Sequence, residues 1–204
     1  EIDTLAEFLY FCSQKMWKPF GSEIDCTNFY KDKTLSRLDL FLSNREDSYK
    51  KSHIVNGVET EGIDNLISDF DWDSIINGKP TKIFHGDLQF DNVIYGNDRN
   101  FYLLDWRQDF NGGDVGDVYY DLAKMYGGIL MSYKFMKKDE NFSCFIANNV
   151  VNYDYKTDDV SNKFKPIYEK WVVDNGYNLE QVKLITALIF LNMSPLHSTN
   201  FSKM

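Results

Sequence analysis

The chain has 204 residues and a formal net charge of −9, with 43% hydrophobic and 16% aromatic residues. This composition fits one globular domain or one large lobe with a sizeable core, and it excludes a disordered chain. The acidic balance argues against nucleic acid as the main partner, because phosphate backbones are bound by surfaces rich in Lys and Arg.

The first third of the chain carries helical patterns. Apolar side chains recur every three or four positions over residues 4–17 and 28–43, and this spacing predicts two amphipathic helices. Residues 44–62 are polar and irregular, which predicts a loop. A shorter helix is predicted over residues 63–76, because Asn77-Gly78 interrupts the pattern there.

Short apolar runs replace the helical pattern after residue 80. Residues 82–84, 92–95 and 101–104 are bounded by turn-forming residues and predict three strands. The last two strands flank the turn Gly96-Asn97-Asp98, so we expect them to form a hairpin. This small β unit interrupts a chain that is otherwise helical.

Helical patterns return in the last part of the chain. We predict a helix from Asp114 to about residue 136 and two more over residues 161–175 and 178–193. Residues 137–158 show no clear pattern. Helices on both sides of a small β unit make the predicted fold class α+β and mostly helical.

The three cysteines, Cys12, Cys26 and Cys144, are odd in number and show no C-x-x-C spacing. A disulfide framework or a zinc site is therefore not expected, and small buried side chains in a reducing compartment are the favoured interpretation. No apolar run approaches the ~20 residues of a membrane-spanning helix, and no basic-then-apolar signal opens the chain. We predict a cytoplasmic protein without membrane insertion.

Polar residues cluster at the ends of the predicted strands, in the run His-Gly-Asp-Leu-Gln-Phe-Asp-Asn at residues 85–92. Asp87 lies on a glycine-containing turn after the first strand, and Asn92 follows at the start of the second. Asp105 ends the third strand, so the hairpin should return it beside Asn92. A carboxylate that orients a hydroxyl and oxygen ligands for Mg²⁺ are what phosphoryl transfer from ATP requires.

Three motifs in this region resemble those of the aminoglycoside phosphotransferase and choline kinase family, which has a protein-kinase-like fold. They are His-Gly-Asp-x-x-x-x-Asn at residues 85–92, Leu-Asp-Trp at 104–106 and Gly-Asp-x-x-x-Asp-Leu-Ala at 116–123. Their order and spacing within residues 81–124 make coincidence remote. The resemblance implies that residues 1–204 form the C-terminal lobe of that fold, with the β-hairpin unit carrying the catalytic loop.

The resemblance also implies a role for each motif residue. Asp87 would be the catalytic base that orients the acceptor hydroxyl, while Asn92 and Asp105 would bind Mg²⁺ and, through it, ATP. Structural support is implied for three further residues, His85, Asp117 and Asp121. The first would shape the loop through its backbone, the second would cap the next helix, and the third would anchor the loop. Taken singly, the proposed catalytic and metal-binding residues could be turn or capping residues, and their joint spacing favours the catalytic interpretation, whereas a structural role is favoured for Asp117 and Asp121.

Two features depart from the family pattern. Arg107 stands where the family usually has an acidic or small residue, two positions after the metal-binding Asp. It could meet a phosphate or an anionic substrate group, or it could pair with Asp109 or Asp114. No glycine-rich phosphate loop and no β-rich lobe are predicted before residue 85, so we expect the N-terminal lobe that grips ATP upstream of Glu1 in the same polypeptide. The chain alone is therefore expected to turn over little ATP.

The expected acceptor is a small molecule with a hydroxyl group, such as choline, ethanolamine, a sugar or an aminoglycoside. Residues 105–108 and 116–124 are most similar to family members encoded with bacterial capsule or lipopolysaccharide genes. Candidate substrate contacts are Trp106, Arg107, Asp109, Tyr119, Tyr120 and Trp171. Such an aromatic and acidic mix would suit an amine by cation–π contact. At least two of Tyr119, Tyr120 and Trp171 are expected to be core residues instead.

Two other function classes stay open. A catalytically silent, kinase-like binding module would hold a partner with the same fold, but the joint presence of Asp87, Asn92 and Asp105 argues against it. A metal-dependent hydrolase would use His85, Asp87, Asp105 and Asp109. However, phosphatases with an aspartyl nucleophile need Asp-x-Asp at a strand end, and Asp-Trp-Arg stands there. Binding of Mg-ATP would separate a kinase from the module, and phosphate release from a monoester without ATP would favour the hydrolase.

Overall fold

The computed structural model describes residues 2–43, 51–132 and 141–196, which fold into helices and small sheets. The described helices are α1 (Ile2–Lys15), α2 (Lys33–Ser43), α3 (Ile63–Ser68), α4 (Asp73–Ile76), α5 (Val118–Leu130), α6 (Asp159–Asp174) and α7 (Leu179–Met193). The described strands are β1 (Ile24–Asp25), β2 (His53–Val55), β3 (Val58–Thr60), β4 (Asn77–Gly78), β5 (Pro80–Thr81), β6 (Val93–Tyr95), β7 (Phe101–Leu103), β8 (Gly116–Asp117), β9 (Phe142–Ala147) and β10 (Val150–Tyr155). The α+β class predicted from the sequence is confirmed.

The strands of the described part form one four-stranded sheet and three two-stranded pairs. The larger sheet has the order β3-β2-β10-β9, in which β10 runs parallel to β2 and the other neighbours are antiparallel. The antiparallel pairs are β1 with β4, β5 with β8, and β6 with β7. The pair β5–β8 lies immediately before residues 85–92 and before α5, so it brings these two segments together.

Helix α5 is the centre of the core. Ten of its 13 residues are buried, and Leu122, Ala123 and Met125 have no exposed surface. It packs against α6 and α7, where Val172 and Ile185 are also fully buried. Burying a side chain of this size contributes about 1.5–3 kcal/mol, so this packing holds α5 rigidly in place. Residues that bond to α5 are therefore held in fixed positions.

Most of the predicted elements are present. The helices predicted over 4–17, 161–175 and 178–193 correspond to α1, α6 and α7. The segment 28–43 is helical throughout, although residues Asn28–Asp32 form a π-helical turn before α2. The predicted hairpin is formed by β6 and β7.

Several predicted boundaries are wrong. The segment 44–62 is not all loop, because β2 and β3 form a hairpin around Asn56 and Gly57, both in the left-handed region. Residues 82–84 form no strand; the pairing ends at Thr81, since the ring of Phe84 packs instead against Gly116. The helix predicted from Asp114 begins only at Val118.

Further differences concern the second half of the chain and the cysteines. The segment 63–76 holds two short helices, and α5 ends at Leu130. Residues 133–136 lie outside the described part, and β9 and β10 occupy the segment that showed no pattern. Cys12 and Cys26 are buried free thiols, whereas Cys144 on β9 is partly exposed. Among the described helices, none combines the length and apolarity needed to span a membrane.

Candidate active site

Asp121 on α5 anchors the segment of residues 85–92, which we call the catalytic loop after the role that its motif predicts. Its two carboxylate oxygens accept hydrogen bonds from the backbone N–H groups of His85 (2.9 Å) and Gly86 (2.7 Å). The indole of Trp17 donates a third bond at 3.1 Å. Burial raises the pKa of Asp121, and the three donors act against that rise by favouring the charged form. The start of the loop is thereby tied to the rigid core.

His85 shapes the loop from inside. Its side chain is fully buried, and its Nδ1 lies 3.2 Å from the backbone N–H of Asp87, which donates to it. Its carbonyl accepts from the backbone N–H of Arg107 at 2.8 Å, and its ring lies beside that of Trp106. A buried imidazole bound in this way positions the backbone and is shielded from a substrate.

Gly86 allows the loop to pass close to the segment after β7. Its φ is +77°, and a Cβ built there would overlap Cβ of Arg107. Only glycine combines this left-handed conformation with the close approach. The requirement for Gly86 is therefore both conformational and steric.

Asp87 has its carboxylate held on both sides. Nδ2 of Asn92 donates to the carbonyl of Asp87 at 2.9 Å and to Oδ2 at 3.3 Å. Nζ of Lys124 forms an ion pair with Oδ1 at 2.8 Å, and the Asp87 side chain keeps about a third of its surface exposed. The carboxylate is thus oriented by the protein and still accessible to a small molecule.

Asp105 follows β7 in a conformation that is unusual for its residue type. Its φ is +55°, which costs a non-glycine residue about 1 kcal/mol, and such strain is typical of functional sites. The backbone N–H of Leu104 bonds to the carbonyl of Asn92 at 2.9 Å, and Arg107 bonds to His85 as described above. These two bonds hold the exposed Asp105 next to the catalytic loop.

Asn92 and Asp105 offer oxygen ligands that fit Mg²⁺. Nδ2 of Asn92 bonds to Asp87, so Oδ1 is the atom of this amide that could contact a cation, and the exposed Asp105 could add a carboxylate. In the described part of the chain, no group of three or more His, Cys, Asp or Glu side chains could hold a metal ion. Mg²⁺ commonly takes one or two carboxylates together with substrate phosphates, so this donor set suits a cation that arrives with phosphates.

Asp117 links segments of the chain next to the site through hydrogen bonds to its buried carboxylate. It caps α5 by accepting from the N–H of Tyr119 at 3.0 Å, and it also accepts from the N–H of Lys79 (2.8 Å) and the hydroxyl of Tyr30 (2.6 Å). Burial raises its pKa to about 6. The carboxylate of Asp117 therefore joins three segments that surround the pair β5–β8.

The predicted substrate contacts divide into exposed and buried residues. Trp106 is 43% exposed, and its indole donates to the carbonyl of Leu103. Asp109 is also exposed, and its Oδ1 accepts from the N–H of Gly112. Tyr119 and Tyr120 lie in the core at 5% exposure each, which is the alternative already considered for them. Trp171 is partly buried against Trp17.

Arg107 forms neither of the ion pairs considered from the sequence. Its Nε donates to the backbone carbonyl of Asp109 at 3.0 Å, and no ion pair joins it to a carboxylate among the described residues. Its guanidinium carbon lies 5.1 Å from the centre of the Phe29 ring. The positive charge is therefore fixed in place and available to an anion.

Two lysines were not predicted as site residues: Lys124, which contacts Asp87, and Lys33, which lies close to Lys124. Lys124 lies one helical turn after Asp121, on the face of α5 that meets the loop, and this spacing was a usable signal. Lys33 comes from the start of α2, about 50 residues before the motif, and no local pattern connects it with the site. Both are partly buried.

An apolar cavity of about 500 Å³ lies elsewhere, between α1, the hairpin β6–β7 and α6. From the catalytic loop it is lined by Gln89, Phe90 and Asp91, and it does not include Asp87 or Asn92. This cavity therefore lies apart from the groups that could carry out chemistry.

Comparison of the chain with models of protein families, with curated proteins and with solved structures finds no match. Function therefore has to be inferred from the geometry of the described residues.

Proposed function

We propose that the chain acts in an ATP-dependent phosphotransferase, as the lobe that carries the catalytic loop and moves the γ-phosphoryl group to a hydroxyl of a small molecule. The arrangement around Asp87 carries the proposal. One carboxylate oxygen accepts from Asn92 and the other pairs with Lys124. The carboxylate is thus held between Asn92, whose amide could bind a metal ion, and Lys124, whose ammonium group could bind a phosphate.

Each residue would contribute in a distinct way. Asp87 would accept the proton of the acceptor hydroxyl, because its carboxylate is fixed in direction and partly exposed. Asn92 and Asp105 would hold Mg²⁺, which, when bound, neutralises charge on the phosphates. Lys124 would fix the direction of the Asp87 carboxylate, while Asp121 would act only through the loop backbone. Together these groups would form the C-terminal part of a protein-kinase-like fold.

An exposed apolar strip on the hairpin supports a nucleotide site beside Asp105. Ile94 and Tyr102 face each other across β6 and β7, and about half of each side chain is exposed. Leu104 is 45% exposed and is bonded through its backbone to Asn92. Apolar surface next to convergent polar groups is typical of ligand sites, and a planar base could cover this strip while its phosphates reach Asn92.

Asp87→Asn in the complete gene product tests the proposed role of this carboxylate. We expect the turnover of Mg-ATP with an alcohol acceptor to fall about 10²- to 10⁴-fold, because the general base is lost. Nucleotide affinity should change little, since Asp87 acts on the hydroxyl. ADP release measures the first quantity and calorimetric titration of Mg-ATP the second. Asp105→Asn should weaken the use of Mg-ATP as well.

Asp91→Asn is the matched control, because Asp91 lies on the same loop with an exposed side chain and no assigned role. If Asp87→Asn turned over ATP as fast as Asp91→Asn, the proposed role of Asp87 would be wrong. If the unaltered protein neither bound nor consumed Mg-ATP, a kinase-like module that holds a partner without chemistry would be the better explanation.

A further inference from the structure

Three cations lie close together beside the catalytic loop, and we call Lys33, Arg107 and Lys124 the cationic cluster. Nζ of Lys33 lies 4.4 Å from the centre of the Phe29 ring, and the guanidinium carbon of Arg107 lies 5.1 Å from the same centre. Nζ of Lys124 lies 2.8 Å from Asp87. Three positive charges are thus grouped together, and one of them contacts Asp87, in a chain whose net charge is −9.

Lys33 is held in this position without a carboxylate of its own in the described part of the chain. Burial lowers its pKa to about 8, and the positive charges of Arg107, Lys124 and Arg37 add to the effect. Both causes disfavour the charged lysine. A charged Lys33 beside two other cations is electrostatically unfavourable, and a bound anion would reduce this repulsion.

Lys124 of the cationic cluster and Asn92 contact different oxygens of the Asp87 carboxylate. Oδ2 of Asp87 accepts from Asn92, whereas Oδ1 pairs with Lys124. If Asn92 faces the metal and the nucleotide phosphates, the side of Lys124 and Lys33 is left for the acceptor. Positive charge there would repel a quaternary or primary amine, so it opposes choline and aminoglycosides as acceptors.

We propose that the cationic cluster binds an anionic group, a phosphate or a carboxylate, on the acceptor alcohol. This inference rests on the proposed function and names its substrate class. The acceptor hydroxyl gives its proton to Asp87 and its oxygen forms a bond to the γ-phosphorus. The bond from that phosphorus to the bridging oxygen breaks, and ADP leaves with the electron pair. Lys33 and Arg107 hold the anionic group while the hydroxyl faces Asp87.

Binding of inorganic phosphate is the first test, because it needs no turnover. Phosphate should bind the unaltered protein and raise its melting temperature, and Lys33→Gln should weaken this binding at least tenfold. Lys165→Gln, which removes the same charge from an exposed position on α6, should leave it unchanged. Potassium chloride at equal ionic strength separates specific binding from screening. Circular dichroism shows whether Lys33→Gln is folded, and Arg107→Gln gives an independent second variant. Equal phosphate affinity in all these variants would overturn the proposal.

A panel of three acceptors, tested on the complete gene product with ADP release as the readout, is the second test: glycerol, choline and glycerol phosphate. Glycerol phosphate should be used at least tenfold more efficiently than glycerol, and Lys33→Gln should remove that preference. Equal or better use of choline would overturn the anionic acceptor and leave the phosphotransferase standing. If Mg-ATP displaced phosphate from the cluster, the site would belong to the nucleotide and the acceptor assignment would fall. If none of the three acceptors led to ADP release, the result would count against the proposed function. Phosphate binding that depends on Lys33 would still support an anion site.

Discussion

Asp117 and Asp121 are carboxylates without exposed surface, and both are satisfied entirely by donors from the protein. Burying a charged group is unfavourable unless hydrogen bonds replace its water. Asp121 receives donors from the catalytic loop and from Trp17, and Asp117 receives them from three separate segments. Two buried charges thus join the parts of the chain that surround the candidate site.

The pH dependence of stability should report on Asp117. Its pKa is raised to about 6, so between pH 4 and 6 the native carboxyl keeps a proton that the unfolded chain has lost. The free energy of unfolding should therefore fall as the pH rises through this window. A rise of about two pKa units corresponds to a fall on the order of 3 kcal/mol. Asp117→Asn should remove this part of the fall, and urea unfolding from pH 4 to pH 7 measures it.

The fall that remains in Asp117→Asn should come largely from Asp121, whose pKa is also raised by burial. Asp91→Asn, at an exposed position, should keep the full dependence of the unaltered protein. A profile for Asp117→Asn that parallels the profile of the unaltered protein would show that Asp117 does not titrate in this range.

The catalytic loop depends on the close approach at Gly86. Gly86→Ala should lose about 1–2 kcal/mol of unfolding free energy from the left-handed backbone. It should lose about 1–3 kcal/mol more because the new methyl group would displace Arg107. Gly176→Ala is the matched control, since Gly176 has a similar φ of +74° and no atom within 4 Å of a Cβ. Chemical denaturation of both variants isolates the contribution of the contact, and equal losses would argue against it.

The helices and strands that could be predicted from the sequence are those marked by a pattern within a few neighbouring residues. The hairpin β6–β7 follows from two apolar runs around a glycine-containing turn. The start of α7 follows from Asn178, whose side chain accepts from the N–H groups of Glu180 and Gln181. The turn at Asn56 and Gly57 carried an equally local signal, but its strands are short and lie in polar surroundings.

Contacts between distant segments could not be predicted. Val150 pairs with Ile54 in a parallel arrangement, and neither strand contains information about its partner. The hydroxyl of Tyr30 bonds to Asp117, and Lys33 comes close to Arg107, only because the core brings the π-helical turn Asn28–Asp32 and the start of α2 against α5. For this reason the spacing of the motif predicted the centre of the candidate site, whereas the cations around it became apparent only in the fold.

The whole molecule combines a tightly packed helical core with a more exposed sheet. Helices α1, α5, α6 and α7 all contribute residues without exposed surface, including Leu9, Leu122, Tyr168 and Val182. In the four-stranded sheet β3-β2-β10-β9, no residue of the strands is buried, and Phe145 is 64% exposed. Local stability follows the density of buried apolar contacts, so these two parts should differ in how readily they open.

Amide hydrogen exchange should therefore be slower in the helical core than in the four-stranded sheet. The backbone amides of α5 after its first turn, and those amides of β9 and β10 that take part in the pairing of these two strands, are hydrogen-bonded, so slow exchange of these amides requires opening of the structure. We expect the amides of β9 and β10 to exchange at least tenfold faster than those of α5, because a difference of only ~1.4 kcal/mol in opening free energy gives that ratio. Exchange followed by mass spectrometry over minutes to hours measures both segments in one sample. Equal protection would mean that the sheet opens only when the core unfolds, and the catalytic loop, which Asp121 ties to α5, would then share its stability with the entire chain.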